Sequence, residues 1–154
     1  MTDKKIVYEQ AHKEILAVLE GETNRTAQMA TIACLLAHAF PGNIWTGFYL
    51  ADPEKERELV VGPYQGTLGC LRIPFDKGVC GAAARTGETQ VVADVHDFPG
   101  HIACDSRSVS EIVVPVRNEA GEVYAVLDID SPDRGTFDET DRAALENLIA
   151  AVFG

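Results

Sequence analysis

The sequence predicts an α+β domain in which helices cover a six-stranded antiparallel sheet. Three observations carry this. Helical periodicity of three and four marks both ends of the chain; six short stretches between them read as strands, with one further helix among them; and the short links DPEKERE and NEAGE join two pairs of those strands as antiparallel hairpins. At 154 residues and 46% hydrophobic, the chain fits one compact domain, residues 1–154, that buries a core without disulfide staples.

From Asp3 to Glu20, the residues Tyr8, Ala11, Ile15, Leu16 and Leu19 form one apolar face of a helix stopped by Gly21. A second helix starts from a Thr23 or Asn24 cap and runs through AQMATIACLLAHAF to Pro41, apolar on all sides and therefore expected to be buried. Cys34 lies in it and reads as core filling. IWTGFYLA and LVVGPY, separated by the charged turn DPEKERE, predict an antiparallel hairpin with Trp45 and Tyr49 on one face. GCLRIPF is a short strand containing Cys70. The alanine-rich DKGVCGAAARTGE predicts a helix capped by Asp76, carrying Cys80 and ended by Gly87. TQVVA is the fourth strand. EIVVPVR and VYAVLDID are strands joined by NEAGE, and the last helix runs from an Asp138 cap with Leu145, Leu148, Ile149 and Val152 on one face.

Charge excludes some partners. With 13 Lys+Arg against 24 Asp+Glu the net charge is -11, which repels nucleic-acid phosphates and anionic membrane surfaces. The N-terminal MTDKKIVYEQAHKEIL lacks an apolar core of signal-peptide length, and no run of about 18 apolar residues occurs, so the expected location is the cytoplasm. Cysteines there stay reduced at rest, which directs attention to packing, metal binding or redox chemistry.

The chemistry concentrates in GHIACDSRSVSEIVVPV, Gly100 to Val116, where Cys104 sits in a loop between a histidine-containing stretch and a strand opening with Glu111. His101 and Arg107, three residues to either side, are the cations available to favour its thiolate; Asp105 opposes them. In VYAVLDID both alternating sets are apolar, so the strand is expected to be central and covered on both faces. Asp128 and Asp130 then share a face roughly 7 Å apart, and Glu111 can add a third carboxylate at the same end of the sheet. Buried like charges of this kind call for a cation or a shared proton. Zinc binding by Cys70, Cys80, Cys104, His96 and His101 is the competing use of these residues, but there is no Cys-x-x-Cys pair and no zinc-module spacing, so no metal and no cofactor are expected.

The segments RIPFDKGVCGAAARTGETQVVADVHDFPGHIACDS, SEIVVPV and VLDIDSP resemble the free methionine-(R)-sulfoxide reductases, single-domain enzymes of the GAF fold. The resemblance runs from about Ile44 to the C-terminal helix. It implies that Cys104 is the catalytic thiol, Cys70 its principal resolving partner and Cys80 a third redox cysteine. It further implies that Glu111, Asp128 and Asp130 bind substrate, that Trp45 and Tyr49 wall the pocket, that thioredoxin is the reductant and that the protein is a homodimer. Two positions depart from the family pattern: Ile44 stands before Trp45 where a polar residue is usual, and TLG precedes Cys70 where a proline is usual. The alternative is a non-catalytic GAF module that senses a small molecule or redox state. Three cysteines and three acids converging on one site, with no output domain, argue against it.

Overall fold

A computed structural model describes residues 3–101 and 104–154; Ile102 and Ala103 of the Cys104 loop lie outside them. Four helices and six strands follow in the order α1 (Lys4–Val18), α2 (Arg25–Ala39), β1 (Trp45–Ala51), β2 (Glu58–Gly66), β3 (Arg72–Pro74), α3 (Gly78–Thr86), β4 (Gln90–Val92), β5 (Ser110–Arg117), β6 (Val123–Ser131) and α4 (Glu139–Phe153). The strands form one sheet ordered β3-β2-β1-β6-β5-β4, every neighbouring pair antiparallel. The α+β expectation holds, and β6 is central as its doubly apolar pattern requires. Among the described residues no helix is long and apolar enough to cross a membrane.

The sheet separates two cores. On one face Phe48, Ile112, Val114, Ala125, Leu127 and Ile129 pack against α1, α2 and α4, so the terminal helices share a face as their periodicity predicts. On the other, Trp45, Tyr49, Leu59, Val113 and Val126 pack against Val79, Cys80, Ala83 and Ala84 of the short helix α3. A nine-residue helix rich in alanine covers less of a sheet than three fifteen-residue helices do, so this second face has room for a cavity.

Local signals set most element ends. Asn24 and Asp138 cap α2 and α4 by accepting backbone N–H bonds from Ala27 and Thr140, and in α4 Asp141 reaches back to the Asp138 N–H. Asp141 also accepts bonds from Lys4 and from the Tyr8 hydroxyl, which ties α1 to α4. Three expectations are corrected. Helix α2 buries only the face carrying Gln28, Met29, Ile32, Ala33 and Leu36, leaving Cys34 half-buried, because alanine suits a helix whether or not it is covered. The N-cap of α3 is Lys77, not Asp76, and makes no side-chain capping bond. Strand β3 starts only at Arg72, so Cys70 lies in the loop before it, where the chain is free to approach Cys104.

Candidate active site

Two rows of side chains cross the centre of the sheet on the α3 face. Register places Glu111 of β5, Asp130 of β6 and Trp45 of β1 in one row, and Val113, Asp128 and Gly47 in the next. Like charges directly opposite each other on neighbouring strands destabilise a sheet, yet Glu111 and Asp130 are direct cross-strand partners. Gly47 is obligatory here: a Cβ would lie 2.2 Å from the Tyr64 Cβ, because β2 shifts register at this point and carries Tyr64 over the glycine. Tyr64 can thereby stack on Trp45 with centroids 4.9 Å apart, while Tyr49 stacks on it at 5.2 Å. The expected aromatic pair of Trp45 and Tyr49 thus has a third ring stacked on the indole, a support that strand spacing alone could not reveal.

Above this wall the chain closes a cavity. Trp45, Tyr49, Cys80, Cys104, Glu111, Asp128 and Asp130 all line it, and among the described lining residues there is no lysine or arginine. Seven of the eight candidate residues therefore converge as expected. The eighth, Cys70, closes the mouth through a disulfide to Cys104, with the Cα atoms 5.2 Å apart. Its loop is drawn down onto the indole: a Cβ on Gly69 would sit 3.0 Å from the Trp45 ring. In this oxidised state the cavity is only ≈ 40 Å³, room for a few waters but not for an amino acid. A second link pins the same two loops, for the Thr67 hydroxyl donates to Asp105 Oδ2 at 2.8 Å.

That link corrects the expected source of positive charge around Cys104. The Arg107 side chain is turned onto Asp105, donating from Nε and Nη2 at 3.2 and 2.9 Å. This ion pair, with the Thr67 bond, holds the Asp105 carboxyl well below its ordinary range. His101 does line the cavity, but burial and the neighbouring His96 push its pKa down, so it is a neutral imidazole near pH 7. His96 itself is turned to Asp94 at the surface. Neither cation faces the sulfur as a free charge in this state.

The floor is electrostatically unusual. Glu111 and Asp128 are buried, 8% and 3% exposed, and Asp130 is half-buried. Desolvation, then repulsion from a neighbouring carboxylate, raises all three pKa values well above the usual carboxyl range. Cys80, a free thiol 3% exposed, approaches Glu111 Oε2 at 3.8 Å, and burial followed by the three acids keeps it protonated. The same causes hold the Tyr49 hydroxyl in its neutral form. Asp128 Oδ1 is buried without a hydrogen-bond partner.

Such a floor costs stability in a way that depends on pH. Carboxyls whose folded pKa exceeds the unfolded value of about 4 keep protons that the unfolded chain releases. Stability is therefore highest below about pH 4 in this respect and falls as pH rises toward the raised folded values, each such carboxyl costing about 1.4 kcal/mol for every pH unit crossed between its unfolded and folded pKa. Asp128→Asn removes one of the repelling charges. Thermal unfolding of the oxidised protein should show the variant more stable than the parent at pH 8, with the gain shrinking toward pH 5. A loss of stability at pH 8, or a gain independent of pH, would mean that the carboxyls are satisfied within the fold.

The fold and this cavity define a GAF domain with a disulfide at the mouth of an acidic pocket, and the GAF-domain family model matches residues 24–152. The free methionine-R-sulfoxide reductase of Escherichia coli is 41% identical over 150 residues, 96% of this chain and 87% of that protein. The enzyme of the same name from Saccharomyces cerevisiae is 40% identical over 150 residues, 95% of this chain and 83% of its own length. The X-ray structure of free methionine-R-sulfoxide reductase from Neisseria meningitidis in complex with its substrate superimposes with a TM-score of 0.93 at 45% identity, covering 99% of this chain and 89% of that one. The chain belongs to the free methionine-R-sulfoxide reductase family of GAF domains.

Proposed function

We propose that the protein reduces free L-methionine (R)-sulfoxide to L-methionine by thiol chemistry at Cys104. The observation that carries this is the Cys70–Cys104 disulfide at the mouth of a cavity floored by three carboxyls and walled by aromatics. In the reduced protein the Cys104 thiolate attacks the sulfoxide sulfur while a protonated carboxyl, Asp130 or Glu111, donates to the sulfoxide oxygen; their raised pKa values suit that role near neutral pH. The substrate S–O bond and the new bond between the two sulfurs then break as the protonated oxygen passes to the Cys104 sulfur, releasing methionine and leaving Cys104 as the sulfenic acid. The Cys70 thiol then displaces water from it to give the disulfide, and an external dithiol restores both thiols. Asp128, buried with an unpartnered oxygen, is assigned the substrate ammonium. Cys80 is assigned a reserve part in recycling, secondary because its thiol is buried and protonated.

Thioredoxin is the proposed reductant. Cys104 is exposed, and Leu68 and Leu71 on either side of Cys70 are 79% and 70% exposed, an apolar collar around the bond a protein dithiol must reach. No cofactor enters this scheme. The free thiols of Cys34 and Cys80 suit a reducing, cytoplasmic setting. Incubation with single-epimer free methionine-R-sulfoxide, thioredoxin, thioredoxin reductase and NADPH should consume one NADPH per methionine formed. Absence of methionine with thioredoxin and with a chemical dithiol would overturn the assignment.

A homodimer is part of the same reading. Ile6, Leu16 and Val18 of α1 are 48%, 38% and 60% exposed, more apolar surface than one terminal helix needs to leave uncovered. The expected interface uses the terminal helices and buries more than about 1,000 Å² in total. Sedimentation at micromolar concentration checks this: Leu16→Glu should shift the dimer toward monomer, whereas a wild-type chain sedimenting only as monomer would refute the interface.

A further inference from the structure

We propose that the cavity floor is also a binding site for a divalent cation of the zinc class, held by Cys80, Glu111 and Asp128, and that the ion competes with the amino-acid substrate. One ligand atom from each of the three lies within 4.8 Å of the others, and all three residues are buried. The Cys80 Sγ to Glu111 Oε2 separation is 3.8 Å. A tetrahedral zinc with Zn–S of about 2.3 Å and Zn–O of about 2.1 Å needs a sulfur–oxygen edge of about 3.6 Å. The Cys80–Glu111 edge is thus within a few tenths of an ångström of coordinating geometry, and the Asp128 ligand atom lies within 4.8 Å of both. Asp128, 3% exposed, supplies the independent observation: its Oδ1 has no hydrogen-bond partner and its side chain lines the cavity.

The donor set chooses the ion. One sulfur and two carboxylates with an open fourth position suit zinc and its tetrahedral surrogate cobalt, whereas magnesium and calcium require six or more oxygens. No lysine or arginine among the described lining residues competes for the acids. Binding replaces the Cys80 proton, which leaves to solvent, with a sulfur–metal bond. The redox pair takes no part, so the site persists in the oxidised protein. Competition follows because an ammonium and a dication would both need Asp128; this half rests on the substrate reading above, and the binding half does not.

Cobalt(II) titration separates the two halves. In oxidised Cys34→Ser protein the only free thiol is Cys80, so a thiolate-to-cobalt charge-transfer band should develop at one ion per chain and disappear on adding zinc. Cys80→Ser should remove the band, and Asp128→Asn should weaken binding at least tenfold with the band retained at saturation. No band, a band that survives Cys80→Ser, or undiminished affinity in Asp128→Asn would overturn the site. For competition, a variant with Cys34, Cys70 and Cys104 all replaced by serine cannot turn over and cannot close its disulfide. Free methionine-R-sulfoxide should shift its cobalt titration to higher concentration in proportion to the sulfoxide added. An unshifted titration, with the sulfoxide shown to bind by calorimetry in the absence of metal, would overturn the competition and leave the ion site standing.

Discussion

Cys104→Ser should release no methionine, even when enzyme exceeds substrate and a single turnover is all that is asked of it. A serine hydroxyl at neutral pH is neither ionised nor soft enough to attack a sulfoxide sulfur, and within the described cavity no other thiol is prepared to replace it: Cys80 is held protonated by burial and by the acids around it. The loss should be at least a thousandfold, equivalent to about 4 kcal/mol of barrier. Cys70→Ser separates attack from recycling. It should give close to one methionine per site in the first turnover and then slow, because Cys104 remains oxidised without its partner across the mouth. If Cys104→Ser gave stoichiometric methionine, or if Cys70→Ser turned over with thioredoxin at the parental rate in a Cys80→Ser background, the assigned roles would be wrong.

The disulfide also closes the site. With Gly69 against Trp45 and Thr67 bonded to Asp105, the oxidised cavity is too small for substrate, so reduction is expected to reopen access as well as restore the nucleophile. An oxidised enzyme that cannot rebind methionine or its sulfoxide avoids occupying its site while it waits for a reductant. Proline before Cys70 would stiffen this loop; the glycine present at that position allows the flat approach to the indole.

Much of this is legible in the chain because the informative patterns are local. The period of two in VYAVLDID puts Asp128 and Asp130 on one face, its two apolar sets mark β6 as central, and Asn24 and Asp138 announce their helices by cap chemistry that involves only the next few residues. What is not legible depends on partners distant in sequence. Nothing near Arg107 reveals whether Asp105 or Cys104 receives its charge, and the Asp105 orientation in turn depends on Thr67, 38 residues away. Strand pairing decides that Glu111 faces Asp130, so the sequence can suggest a shared end of the sheet but not a shared row. Gly47 carries no signal of its own, since only the register shift of β2 makes a Cβ impossible there. Cys70 reads as part of a strand because Leu71, Ile73 and Phe75 alternate with less apolar neighbours, whereas pairing with β2 begins only at Arg72.

The enzyme should act on the free amino acid and neglect the same sulfoxide inside a peptide. Three carboxyls share the floor without a lysine or arginine among the described lining residues, so the charge they lack is the one a free α-ammonium brings. Acylation makes that nitrogen a neutral amide. Asp128 would then stay buried without its counter-charge, and loss of a charge-assisted hydrogen bond costs about 1.5 to 3 kcal/mol, roughly ten- to a hundredfold in kcat/KM. The loops that carry Cys70 and Cys104 border the mouth, so a peptide chain running on from the residue should meet them and be disfavoured further. Three single-epimer substrates make the comparison: free methionine-R-sulfoxide, its N-acetyl derivative and a short peptide containing it. The N-acetyl compound should fall by at least tenfold through the ammonium alone and the peptide further still. Asp128→Asn should narrow the gap between free and N-acetyl substrate by lowering only the former. Equal efficiency on all three substrates, or an unchanged ratio in Asp128→Asn, would show that the acidic floor does not read the ammonium.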